Sequence, residues 1–118
     1  MSQLNRGDII LVPFPFTDLK SHKVRPAVIL SPKISIRGDV IVGFISSVVP
    51  LAPVATEIVL QSGNRAFRAS GLKVNSVFRM DKVTTLHRSL VLRQLGHVPA
   101  SFQAKLNRAL ARAVGLRK

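Results

Sequence analysis

Apolar positions fall in short runs over most of the chain, each closed by glycine, proline or polar residues. After the turn signal Gly7-Asp8, "IILVPF" predicts a first strand. "PFPFTDLKSHKV" predicts a loop, since two prolines interrupt it and polar residues follow. "PAVILS" is too apolar for a strand with one solvent-facing side and predicts a central one, with Pro26 near its start. "VIVGFISS", "ATEIVLQ" and the stretch around "SVFRMDKVTTL" predict three more strands, and "SLVLRQLGHV" predicts a further hairpin. From Pro99 the period changes. Phe102, Leu106, Ala109, Leu110 and Ala113 form one stripe at three-and-four spacing, the mark of an amphipathic helix. Ser101 is the expected N-cap and Gly115 the expected stop, with Lys105, Arg108 and Arg112 on the outer face. The expectation is a mainly β chain: a small antiparallel β-barrel with one C-terminal helix, a single domain over residues 1–118.

Composition narrows what such a barrel does. Eighteen Lys and Arg against five acids give a net charge of +13, spread along the chain. With 47% hydrophobic residues the chain also builds a core, so the charge decorates a folded surface and attracts polyanions. Nucleic acid is the first candidate partner and an acidic protein segment the second. No apolar run reaches the ~18 residues of a membrane span, so no membrane role is expected. The N-terminal "MSQLNRGD" lacks the apolar region of a signal peptide, and the absence of cysteine fits a cytoplasmic protein. Cysteine-free, with three scattered histidines and no close pair of acids, the sequence predicts no metal site and no cofactor.

Chemistry must then run on cations, hydroxyls and a carboxylate. Arg25 precedes a proline, which biases it towards extended geometry, and a guanidinium held this way grips a phosphate bidentately. Lys20, His22 and Lys23 crowd the same loop. Arg79 and Asp81, two apart in a strand, project from one face. They form either a surface ion pair worth under ~1 kcal/mol or an acid–base pair beside a phosphate. Ser46 and Ser47 end an apolar strand, where a hydroxyl can donate to a phosphate oxygen. Phe14 and Phe16 either stack on bases or plug the barrel mouth. These are the groups that metal-free RNA cleavage needs: a base, an acid and cationic stabilisation of phosphorus as the ribose 2'-OH attacks.

"RGDIILVPFPFTDLKSHKVRPAVILS" resembles the opening of the MazF/PemK toxins of type II toxin–antitoxin systems. "VIVGFISS" resembles the family's third strand, and "GLKVNSVFRMDKVTTL" its later segment with Arg-x-Asp. The resemblance implies an SH3-like barrel of the MazF/PemK/CcdB type that forms a homodimer. It implies a metal-independent, ribosome-independent endoribonuclease that cuts single-stranded mRNA at short sequences, leaving a cyclic phosphate and a 5'-OH. Arg25, Ser46, Arg79 and Asp81 match its catalytic positions; Phe16, Lys20, His22, Lys23, Ser47 and Lys82 are the expected RNA contacts. An acidic, MazE/PemI-like antitoxin is the implied protein partner, with operator DNA bound in its company. Two other readings remain: a toxin of the same fold that poisons DNA gyrase, and a non-catalytic RNA-binding barrel.

Overall fold

The structure is a computed structural model that describes residues 3–13 and 23–116. Six strands form one antiparallel sheet: β1 (Asp8–Pro13), β2 (Val24–Ile29), β3 (Asp39–Ser46), β4 (Glu57–Leu60), β5 (Ser76–His87) and β6 (Arg93–His97). Their order is β4-β5-β3-β2-β1-β6, curled into a half-barrel. Among the described residues two α-helices join it, the four-residue α1 (Phe67–Ser70) and the C-terminal α2 (Ala100–Ala113), with one 3-10 turn at Arg88–Leu90.

Strand alternation sorts the core into two layers. Ile9, Val28, Ile45, Phe78 and Met80 pack with Phe102, Leu106 and Ala109 of α2. Phe78 meets Phe102 edge-on, ring centroids 5.0 Å apart. Ile10, Val12, Ala27, Val42 and Phe44 pack on the opposite face with Leu4, Leu86 and Val91. β5 carries a wide irregularity. Gly43 pairs with Val83 and Phe44 with Arg79, so Met80, Asp81 and Lys82 are extra residues on the β5 side.

Two glycines set how closely α1 meets the sheet. A Cβ on Gly71, where φ is +75°, would lie 2.0 Å from the Leu95 carbonyl oxygen. On Gly96 it would lie 2.2 Å from the Ala69 carbonyl oxygen. Backbone therefore rests on backbone between α1 and β6, which only residues without a side chain permit.

Three sequence expectations need correction. β2 begins at Val24, ahead of Pro26; the ladder to β3 starts only at Ala27, so Pro26 sits where β2 has β1 as its single neighbour. The segment after β5 does not fold back on it as a hairpin. Both edges of β5 are taken by β3 and β4, and β6 pairs with β1 instead. Ser101 is not the N-cap of α2. Pro99 holds that position, with its carbonyl accepting from the Phe102 and Gln103 N–H groups. The helix ends where expected, before Gly115 at φ +76°.

Candidate active site

Register brings Arg79 between two neighbours, Phe44 on β3 and Glu57 on β4. Its guanidinium lies fork to fork on Asp81: Nε donates to Oδ1 at 3.0 Å and Nη2 to Oδ2 at 2.9 Å. Glu57 Oε2 stands 3.4 Å from the same Nε, and Glu57 Oε1 accepts from the Val54 N–H at 2.9 Å. The Arg79 hydrogen bonds hold the Asp81 carboxyl below the usual carboxylate range. The same bonds, helped by the charges of Asp81 and Glu57, raise the guanidinium above its own. Both groups are thus fully ionised at neutral pH, and their charges are turned on each other.

Arg25 is half-buried at the start of β2, paired in register with Val12. Ala27, two residues on, pairs with Phe44, which pairs with Arg79. By register Arg25 and Arg79 therefore project from one face of the sheet, two strand spacings across and two residues along from each other, roughly 12 Å apart at the backbone. Ser46 ends β3 on that side, and its hydroxyl accepts from the Val48 N–H at 3.0 Å, closing a tight turn. Lys23, Ser47 and Lys82 are exposed. Phe14, Phe16, Lys20 and His22 lie outside the described residues.

Arg25 and Ser47 also line a cavity of about 290 Å³ with an apolar floor that includes Leu11, Ile45, Leu72 and Leu95. Lys73 and Arg93 complete its rim. Neither was singled out from the sequence: each is an isolated cation in its own segment, and only the folding of β6 alongside β1 brings Arg93 near Arg25. Glu57 was missed for a similar reason, since its approach to Arg79 depends on the β4–β5 register. Among the described residues no group of three or more His, Cys, Asp or Glu could hold a metal ion.

The family model described as "PemK-like, MazF-like toxin of type II toxin-antitoxin system" matches residues 5–114. The chain belongs to this toxin family. Solved structures of the same fold include an endoribonuclease from a Mycobacterial species, 22% identical, with a TM-score of 0.74 over 100% of this chain and 97% of that one. Mycobacterium tuberculosis toxin MazF-mt6 is 25% identical, with a TM-score of 0.74 over 94% of this chain and 99% of that one. MazE-MazF from Deinococcus radiodurans is 20% identical, with a TM-score of 0.74 over 99% and 100%. No curated protein sequence matches. By strand register, Arg25 on β2 and Arg79 on β5 alternate onto the sheet face that carries Val12, Ala27 and Phe44.

Proposed function

We propose that the chain is the toxin of a type II toxin–antitoxin system and acts as an endoribonuclease on single-stranded RNA. The observation that carries this reading is the Arg79–Asp81 fork on the same sheet face as Arg25. A phosphodiester entering between Arg25 and Arg79 competes with Asp81 and Glu57 for the Arg79 fork. Each displaced N–H is worth a charge-assisted hydrogen bond to a phosphate oxygen. Asp81, once released, loses the partner that depresses its pKa and becomes a better base for the ribose 2'-OH. Arg25 and Arg79 then face the charge that builds on the five-coordinate phosphorus. The bond from phosphorus to the 5' oxygen breaks and that oxygen takes up a proton, from water or from the Asp81 carboxyl that has just received one, giving a 2',3'-cyclic phosphate and a 5'-OH. Ser46 stands beside this path as a hydrogen-bonding hydroxyl. No step needs a metal.

The partner expected at this face is an antitoxin with an acidic segment, whose carboxylates match the same cations. Deinococcus radiodurans MazF, with the same fold, is solved together with MazE. A homodimer, and operator DNA bound together with the antitoxin, complete the reading by family likeness.

The test incubates purified protein with a long single-stranded RNA in EDTA, beside Arg25→Ala. The expected result is discrete fragments with 5'-OH ends from the wild type, and cleavage slowed by about 10²–10³-fold in the variant. RNA that is bound yet left intact by the wild type would refute the nuclease reading.

A further inference from the structure

The side of the sheet turned towards α2 carries a second set of cations. Between α1 and the start of α2 lies a cavity of about 620 Å³, within the size range of small-ligand sites. Arg65, His97, Ser101 and Lys105 line it, with Phe102 among its apolar walls. A shallower groove of about 430 Å³ continues along the helix, lined by Lys105, Arg108 and Arg112 over Ala55, Ile58 and Ala109. Lys105 is common to both, so the two form one track. Neither is lined by a carboxylate. No Asp or Glu follows Asp81 in the sequence, so α2 has no acid of its own to pair with these cations.

His97 is the oriented member. Its Nδ1 lies 2.8 Å from Oδ1 of Asp8, a carboxylate buried to 3% exposure whose Oδ2 accepts from the Asn5 N–H at 2.8 Å. A buried carboxylate needs such partners, and in return it fixes the ring. With Nδ1 committed, Nε2 is the polar atom that the ring has left for a ligand in the cavity it lines.

This track is on the other face from Arg79, and it shares no lining residue with the cavity that Arg25 lines. Phe78 and Met80 pack against α2, and Arg79 alternates with them along β5.

We propose that Arg65, His97, Lys105, Arg108 and Arg112 form a second binding surface for the phosphate backbone of single-stranded RNA, separate from the cleavage face. The proposal rests on the ribonuclease reading for its choice of polyanion. The three helix cations span about 10 Å along the axis, a row that follows a strand rather than a point charge. The cavity at its end has room for a nucleoside, with the His97 ring and the Ser101 hydroxyl as directional contacts.

The test measures anisotropy of 2'-O-methyl RNA, which lacks the attacking hydroxyl, as a hexamer and as a strand of about 20 nucleotides. Binding to the wild type and to Lys105→Gln/Arg108→Gln/Arg112→Gln is followed against salt. The expected result is that the long strand loses about two units of salt slope in the variant while the hexamer slope does not move. Unchanged slopes for both lengths, or equal losses for both, would overturn the second surface. So would a poly-glutamate peptide that loses affinity for the variant when the long RNA does not, since the track would then be an acidic-protein site. All five side chains are exposed, and an unchanged circular dichroism melt establishes that the variant is folded. In parallel, the wild type is given the unmodified long strand. Lack of cleavage there would remove the nuclease reading while leaving the slope comparison standing.

Discussion

Both carboxylate oxygens of Asp81 accept from Arg79, and this sets how the pair responds to pH. The folded-state pKa of Asp81 lies below its unfolded value, so its contribution to stability is present above about pH 4 and lost as pH falls through the lowered value. At 41% side-chain exposure that contribution is screened and amounts to less than about 1 kcal/mol. Asp81→Asn should therefore change the urea midpoint little while slowing RNA cleavage by about 10²-fold or more. A variant that keeps its activity but loses several kcal/mol would make the pair structural. The pair itself was legible from the two-residue spacing of Arg79 and Asp81. The third member, Glu57, was not: it lies more than twenty residues upstream and reaches Arg79 only through the β4–β5 register.

Elements show the same division between local and non-local information. α2 was readable because Phe102, Leu106 and Ala109 recur at helical spacing and all three are buried against the sheet. α1 has four residues, too few to show a period, and the extra residues on β5 leave no mark in a sequence that still reads as one strand. The contact between α1 and β6 depends on Gly71 and Gly96, whose roles appear only when the backbones are laid together. Gly96→Ala places a methyl within 2.2–2.5 Å of the Ala69 and Ser70 backbone, which has no flexible end to yield. The expected cost is about 1–3 kcal/mol, read as a lower urea midpoint at unchanged slope.

Over the whole molecule, a net charge of +13 on 118 residues makes the folded state its own electrostatic opponent. Raising salt from about 0.01 M to about 0.15 M shortens the Debye length from ~30 Å to ~8 Å and relieves that repulsion. The melting temperature should rise over this interval, as differential scanning calorimetry would read it; a flat or falling value would mean that local pairing already balances the charge. Nucleic-acid affinity should move the opposite way, falling steeply with salt. The glycine seam has a consequence in genetics. Cells that survive expression of this toxin would carry lesions at Gly71 and Gly96 as readily as at Arg25, because a chain that cannot seat α1 fails to accumulate. Survivors would therefore mix lost chemistry with lost protein, and only an immunoblot of each clone would tell a disarmed toxin from an absent one.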